Sequence, residues 1–296
     1  AMRTLVILNT AAGGGIDPRA LQGRHEGRID ADFEQTSGPG DAIGLAEEAA
    51  RSGYTRVIAA GGDGTVREVA TGLFRGGGDA GLGIIPTGTG NDLAFSLRLP
   101  SDIEEAAAVA AGVRTTPLDL IRAVSADPAE SDLYLTNAAV AGFCGRIGES
   151  MSPGFRRRWR LVAYPLAALR QDRDLRPYSV EILADGRSIE TKALMVIAAN
   201  SMYAGGRVPL APGARNDDGQ LDLVIVHAVS LPRLATLVPR VLLGRHAAHP
   251  GVSIHRASDV FMRADPPMWI NLDGDTWMAG SASFHVIPAA LQVAVL

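Results

Sequence analysis

The chain has 296 residues, of which 20% are charged, and a formal net charge of −4. This length suits two modest domains or one large domain, and the negative charge argues against a general nucleic-acid-binding protein. Because Lys192 is the only lysine, a P-loop of the G-x-x-x-x-G-K-[ST] type is excluded.

The first 120 or so residues alternate strand-like and helix-like segments. The predicted strands cover 5–9, 57–60 and 82–86, and the predicted helices cover 41–53, 66–74 and a segment that begins near Asn91. Strands that alternate with helices pair in parallel, so we expect an α/β domain with a parallel sheet. Ligands of such sheets lie at the carboxyl ends of the strands, where the glycine-rich turns of this chain fall.

Beyond about Pro117, strands linked by short turns replace this alternation. The segments 178–183 and 188–197 flank Ala184-Asp185-Gly186-Arg187, which is typical of a hairpin turn. Further strands are predicted at 221–226, 252–254, 259–262, 282–287 and 291–295, and helical insertions at 155–173 and 231–245. We therefore expect an antiparallel, sandwich-like second domain.

The strongest local pattern is a buried strand that runs into Gly61-Gly62-Asp63-Gly64-Thr65. Glycines let a phosphate approach the backbone, and a helix start offers unpaired N–H groups. Thr65 with Glu68 matches a capping box, and Asp63 is placed to hold Mg²⁺ or orient a phosphate. A tight strand-to-helix turn without a ligand is the alternative.

A second turn repeats this pattern one strand later, at 86–94. Gly88 and Gly90 free the backbone, Thr89 offers a hydroxyl group to a phosphate, and Asp92 opens the next helix. Two such turns on successive strands are unlikely to arise by chance, although either alone could be an ordinary turn before a capped helix.

The sequences GGDGT at 61–65 and PTGTGNDLA at 86–94 resemble the catalytic domain of diacylglycerol kinases, bacterial lipid kinases and sphingosine kinases. Further matches lie at 9–13, 36–42, 212–223 and 271–275, so the resemblance spans nearly the whole chain. NAD kinases share GGDGT, which makes GTGND the more discriminating element. The resemblance implies a nucleotide-binding α/β domain over 1–125 and a β-sandwich lipid-substrate domain over 126–296, and it leaves room for the last residues to return to the first domain.

The resemblance implies ATP as the phosphoryl donor and a lipid alcohol, such as diacylglycerol, as the acceptor. The positions that would contact ATP are Asn9, Thr10, Ala11, Ala12, Gly13, Thr36, Gly61, Gly62, Asp63, Gly64, Thr65, Val66, Arg67, Thr89 and Asp92. Thr10 stands where the family usually has proline, and Arg67 stands where asparagine is common. Whether Arg67 contacts phosphate or faces solvent is left open by the sequence.

The segment 211–223 resembles the structural magnesium loop of the family. The match assigns the ion to the side chain of Asp218 and to the backbone carbonyls of Arg215 and Gln220, and oxygen ligands of this kind suit Mg²⁺. An ordinary Asp-Gly turn before a strand is the alternative.

The segment 271–275 lies where the family has Asp-Gly-Glu, whose glutamate acts as general base on the lipid hydroxyl. Here that residue is Asp275, which is one methylene shorter, so the reach of the carboxylate changes. Asp273 is a neighbouring candidate as base or metal contact, and Asp63 is the third carboxylate counted as catalytic. The alternative is a plain hairpin turn.

The segment 155–164 is a dense basic and aromatic cluster. It predicts either a helix that lies on an anionic membrane surface or a solvated helix face.

The chain enters a strand-like pattern directly after Met2, and Cys144 is its only cysteine. We therefore expect a cytoplasmic protein, peripheral to the membrane at most, without a signal peptide or an intrachain disulfide. A homodimer is left open.

Two other functions compete with lipid phosphorylation. A kinase of a soluble acceptor, similar to NAD kinases, would use the same first turn, although GTGND and the basic segment weigh against it. A nucleotide-binding regulatory protein with weak catalysis would account for aspartate at position 275.

Overall fold

The computed structural model describes residues 3–9, 31–77, 79–126, 132–142 and 176–296. The predicted helix at 155–173, the basic segment 155–164 and Cys144 lie outside these ranges. So do four of the predicted ATP contacts, Thr10, Ala11, Ala12 and Gly13. The chain forms two compact units: Ala1–Leu120 with Pro288–Leu296, and Ile121–Ile287. Within the described ranges, no helix is both long and apolar enough to cross a membrane.

The first unit contains a parallel sheet in the order β4-β3-β1-β2. Its strands are β1 (Thr4–Leu8), β2 (Ala31–Gln35), β3 (Arg56–Gly61) and β4 (Gly81–Pro86). All residues of β1 and β3 are buried, because the strands of a parallel sheet are covered on both faces. This burial explains why β1 after Thr4 and β3 after Arg56 are continuous runs of apolar or small residues.

Four helices lie within the described residues of the first unit. They are α1 (Asp41–Arg51), α2 (Asp63–Gly76), α3 (Asp92–Ser96) and α4 (Ile103–Ala110). α1 and α2 bury small or apolar side chains in one core with β1, β3 and β4. The helix predicted from Asn91 is only five residues long, since Arg98 has a positive φ of 57° and Pro100 follows soon after.

The second unit is antiparallel in its described strand pairs. Its longer strands follow the order β13-β12-β9-β7-β14-β15, and β8 pairs with both β9 and β14. The strands are β5 (Thr115–Ser125), β6 (Leu133–Leu135), β7 (Ala138–Gly142), β8 (Tyr178–Ala184), β9 (Arg187–Ala199), β10 (Tyr203–Ala204), β11 (Val208–Pro209), β12 (Leu221–His227), β13 (Val252–Ala257), β14 (Asp259–Leu272) and β15 (Asp275–Ala294). β5 begins in the first unit, which includes the residues up to Leu120. The predicted hairpin is confirmed: Asp185 and Gly186, with φ of 45° and 81°, connect β8 to β9.

Several predicted segments have different bounds in the structure. The strand expected at 259–262 continues to Leu272 as β14. The strands expected at 282–287 and 291–295 are one strand, β15, of 20 residues. Its end pairs with the first unit's sheet, where Val293 lies opposite Leu82 in parallel. The predicted helix at 231–245 is observed as α5 (Leu231–Leu242), followed by a 3₁₀ helix at His246–Ala248.

Candidate active site

The first glycine-rich turn joins β3 to α2. β3 ends at Gly61, and α2 begins at Asp63 with Gly62 as its N-cap and no side-chain hydrogen bond at the cap. The first N–H groups of an α-helix lack intrahelical acceptors, and the helix dipole favours an anion at this end. A helix of 14 residues therefore starts, without a capping side chain, at the carboxyl end of a buried strand. This geometry suits a phosphate group.

The two glycine-rich turns pack directly against each other. A Cβ atom on Gly88 would lie 2.3 Å from the Cα of Gly62, and one on Gly61 would lie 2.4 Å from Oγ1 of Thr65. The N–H groups of Thr87 and Gly88 donate to the carbonyl oxygen of Gly61, at 3.0 and 3.2 Å. Positions 61 and 88 therefore have no room for a larger residue.

Asp63 links these turns through its carboxylate. Its Oδ2 accepts the N–H of Asn91 at 2.8 Å, and its Oδ1 accepts the N–H of Asp92 at 2.6 Å. Asn91 has a left-handed backbone with φ of 55°, and its Nδ2 donates to the carbonyl oxygen of Gly88 at 2.9 Å. The carboxylate of Asp63 thus occupies the start of α3, and its catalytic role stays a prediction.

Two more predicted ATP contacts lie at the same edge of the sheet. Asn9 follows β1, and its Nδ2 donates to Oγ1 of Thr65 at 2.9 Å. Thr36 follows β2, and its N–H donates to the carbonyl oxygen of Leu8 at 2.9 Å. In the parallel register Leu8 lies opposite Ala60, so the structure brings Asn9 and Thr36 to the edge at which Gly61 ends β3.

The remaining predicted contacts have different environments. Val66 is buried, and its N–H donates to the carbonyl oxygen of Gly62 within the helix at 3.0 Å. Arg67 is half-buried on α2 and Thr89 is exposed in the second turn. Asp92 is buried.

The predicted capping box is wrong. Thr65 is the third residue of α2 rather than its N-cap, because the helix begins directly after Gly62. Glu68 reaches another element instead, and its Oε1 accepts the N–H of Gly40 at 3.0 Å.

In the second unit, Asp273 binds the backbone that precedes β7. Its Oδ2 accepts the N–H groups of Thr136 and Asn137, at 2.8 and 2.9 Å, and its Oδ1 accepts the N–H of Ala138 at 3.0 Å. Three backbone donors on one carboxylate make Asp273 a strong anchor for this segment. Such contacts compete with any use of the same oxygens as a base or metal ligand.

Asp275 has a different setting two residues later. Asp273 and Gly274 have φ of 49° and 113° and connect β14 to β15 as a two-residue turn, in which Leu272 lies opposite Asp275. Positive φ at both positions is typical of such hairpins. Asp275 is the first residue of β15 and is exposed to solvent, so a substrate can reach its carboxylate.

A buried polar network that the sequence analysis missed lies beside Asp273. Thr136, Asn137 and Asn200 are at most 2% exposed. The N–H of Asn200 donates to the carbonyl oxygen of Asn137 at 2.8 Å, and its Nδ2 donates to that of Thr136 at 3.1 Å. Each asparagine borders a run of small apolar residues, and a polar residue in such a place could have drawn attention to these positions.

The predicted magnesium loop carries excess negative charge. Oδ1 of Asp218 accepts the N–H of Gln220 at 3.2 Å. Asp222, which follows closely, is 5% exposed, and its Oδ2 has no hydrogen-bond partner among the described residues. Burial raises the pKa of Asp222, against the opposing charge of Arg256, while the nearby Asp218 raises it further.

Arg256 is the cation that faces these carboxylates. Its Nη1 lies 3.8 Å from Oδ2 of Asp218, and its Nε lies 3.7 Å from Oδ1 of Asp222. The side chain of Arg215 pairs with Asp217 instead, at 3.0 Å. The described residues contain no cluster of three or more His, Cys, Asp or Glu side chains, so a cation here would also need carbonyl oxygens and water. Mg²⁺ accepts such a set, and the buried oxygen of Asp222 favours an added cation, so the residues present fit the ion.

Two family models together match most of the chain. Residues 3–123 match the model of the diacylglycerol kinase catalytic domain, and residues 138–295 match that of the YegS C-terminal NAD kinase beta sandwich-like domain. A Xanthomonas euvesicatoria protein named "Probable lipid kinase YegS-like" is 32% identical over 97% of this chain and 94% of its own length. A Bacillus subtilis protein named diacylglycerol kinase is 29% identical over 92% and 89%.

Solved structures share the fold. A crystal structure of a diacylglycerol kinase from Bacillus anthracis superposes with a TM-score of 0.74 at 22% identity and covers 100% of this chain and 97% of its own. Another crystal structure from the same organism gives a TM-score of 0.83, also at 22% identity, over 100% and 95%.

Proposed function

Since the chain belongs to the lipid kinase family that combines the diacylglycerol kinase catalytic domain with the YegS C-terminal domain, we propose that it transfers the γ-phosphoryl group of ATP to a lipid hydroxyl. The acceptor is diacylglycerol or a related lipid alcohol. The observation that carries the proposal is the start of α2, where a long helix without a capping side chain follows Gly61 and Gly62.

The phosphates of ATP bind at this helix start. Phosphoryl transfer depends mainly on positioning the phosphates and stabilising their charge, and backbone N–H groups with a helix dipole provide both. Asn9, Thr36 and Thr65 lie around the same sheet edge, which supports their assignment as nucleotide contacts. Arg67, half-buried one turn into the helix, adds positive charge.

Asp275 acts as the general base. The lipid oxygen forms a bond to the γ-phosphorus, its proton passes to the Asp275 carboxylate, and the bond from phosphorus to the ADP oxygen breaks. Asp275 is exposed, whereas the carboxylate of Asp273 already accepts three backbone N–H groups. This difference supports Asp275 rather than Asp273 as the base. Asp273 then positions the turn that presents Asp275.

The segment that includes Arg215, Asp218 and Gln220 holds Mg²⁺ in this proposal. The buried carboxylate of Asp222 and its orphaned oxygen support the assignment. When bound, the ion supplies positive charge that offsets the carboxylates of this loop.

A labelled-ATP assay over extracted lipids tests the function. The natural chain should yield a labelled lipid, and Asp275→Asn should reduce the rate by about 10²- to 10⁴-fold, the usual contribution of general base catalysis. Asp63→Ala should abolish the product, because the N–H groups of Asn91 and Asp92 lose the carboxylate that holds the second turn in place.

Matched reactions separate the competing functions. Asp275→Glu restores the family residue and should retain turnover, and soluble acceptors such as NAD and glycerol should remain unlabelled. Equal labelling by the natural chain, Asp275→Asn and Asp63→Ala would overturn the site assignment. ATP binding without turnover on any lipid would instead indicate a regulatory protein.

A further inference from the structure

α5 is apolar on two opposite faces. Its inner face packs Leu237, with Leu234 and Val241, into a core that includes residues of β9, β12 and β13. The outer face presents Ala235, Pro239, Leu242 and Leu243, which are all exposed. Leu242 and Leu243 are 42% and 69% exposed. Exposed apolar patches on a folded protein mark sites of association more often than isolated exposed residues do.

The charged side chains of the segment that carries this outer face have one sign. No aspartate or glutamate occurs between positions 223 and 258, although the chain has 32 of them in 296 residues and a net charge of −4. Arg233, Arg240 and Arg245 belong to this segment and are exposed. Among the described elements, β11 and the 3₁₀ helix lie beside α5. β11 follows Arg207 and the 3₁₀ helix follows Arg245, so both begin next to a basic residue.

We propose that the outer face of α5 and the residues after it, 232–245, dock on the surface of an anionic lipid bilayer. A helix with exposed leucines and flanking arginines suits the boundary between headgroups and acyl chains. There the leucines leave water and the arginines contact phosphate headgroups. The surface is distinct from the glycine turns and from Asp275. It rests on the proposed function only in that a lipid kinase meets its substrate at a membrane.

Vesicle co-sedimentation tests the proposal, since it needs neither ATP nor turnover. The probes are vesicles of phosphatidylcholine mixed with phosphatidylglycerol, and vesicles of phosphatidylcholine alone. The natural chain should partition more strongly onto the mixed vesicles. Leu242→Gln with Leu243→Gln should lower that partition by about tenfold or more, because transferring one leucine side chain from water already changes a partition constant by roughly that factor.

The arginines provide a second variant, which keeps the apolar face intact. Arg233→Gln with Arg240→Gln should weaken binding to the mixed vesicles by roughly fivefold for each arginine, and high salt should remove the difference. Binding to phosphatidylcholine alone should not change. Leu183→Gln is the matched control: Leu183 is 47% exposed on β8, and its replacement should not alter partition.

Circular dichroism and urea unfolding test whether each variant is folded. If the leucine variant is unfolded, the arginine variant alone decides the outcome. Equal partition of the natural chain and both variants overturns the proposal. A dimer that the leucine variant converts to monomer in sedimentation velocity, with vesicle binding unchanged, assigns the surface to a second copy instead. Binding through α5 without any lipid phosphorylation overturns the proposed function alone.

Discussion

At the residue scale, three carboxylates of the candidate site have three different environments. Asp63 accepts N–H groups from the neighbouring turn, Asp273 accepts three from the segment before β7, and Asp275 is exposed. The motifs predicted all three as catalytic, because a motif gives only the residue types and their spacing and not the partners of each side chain. The partners of Asp273 lie more than 130 positions away in the chain, so the sequence could name these carboxylates but could not separate their roles.

Asp273→Asn should destabilise the fold. The amide offers one acceptor oxygen where the carboxylate has two, so at least one of the N–H groups of Thr136, Asn137 and Ala138 loses its acceptor. A buried donor left unsatisfied costs about 1–3 kcal/mol, which urea unfolding would measure as a lower free energy of unfolding. Asp275→Asn, at an exposed position, should change that free energy by less than about 0.5 kcal/mol. Equal stability of the natural chain and Asp273→Asn would contradict the anchoring role.

At the element scale, the glycine turns behave as a pair. The sequence predicted both turns, both strands before them and the helices after them, since buried strands and glycines leave clear patterns. It placed the start of α2 too late, because Thr65 and Glu68 matched a capping box that the chain does not form. The contact of Gly88 with Gly62 joins residues of different turns, which no local pattern encodes.

Gly88→Ala and Gly64→Ala should therefore have opposite effects on stability. The new methyl group at position 88 would overlap Gly62, and overpacking of this kind costs about 1–3 kcal/mol. Nothing lies within 4 Å of a Cβ atom on Gly64, so alanine there should stabilise α2 by about 0.5–1 kcal/mol. Gly64→Ala should still weaken ATP binding, as measured by calorimetry, if phosphate approaches that backbone. Unfolding free energies that fall equally in both variants would contradict the packing of the two turns.

The 3₁₀ helix after α5 carries a pH-sensitive contact. His246 is 2% exposed, and its Nε2 donates to the carbonyl oxygen of Leu210 at 3.0 Å. Burial lowers the pKa of His246 below its usual value of 6.5, so the folded chain favours the neutral ring. As the pH falls below about 6.5, the unfolded chain takes up the proton more readily, and stability decreases.

Urea unfolding at pH 8 and pH 5 would show this loss, and His246→Gln should reduce it, because glutamine can donate to Leu210 but does not titrate. The measurement at pH 8 separates the cost of the substitution itself from its effect on the pH dependence. An identical fall in stability between the two pH values in both chains would exclude His246 as the source.

At the scale of the whole molecule, the chain leaves the first unit after Leu120 and returns to it at Pro288. Residues 288–296 belong to the first unit, although β15 begins in the second. The sequence pattern predicted two strands, 282–287 and 291–295, and the residues between them include Pro288, which cannot donate a hydrogen bond within a sheet. The next N–H, that of Ala289, donates to Oδ1 of Asp119 at 2.6 Å. A strand that contains proline and changes its partners along its length cannot be recognised from alternation of apolar residues alone.

Deleting residues 288–296 should abolish ATP binding, although no residue of the glycine turns is removed. Leu291 and Val293 are 6% and 0% exposed, and Val293 pairs with Leu82 of β4, the strand that leads into the second turn. Loss of this strand end uncovers the core beside β4 and removes a hydrogen bond to Asp119. Calorimetry would report the ATP binding, and hydrogen exchange should show faster exchange in β4. Deletion of Leu296 alone, which is 62% exposed, is the control and should leave both unchanged. Full ATP affinity after the longer deletion would show that the first unit forms its site without this segment.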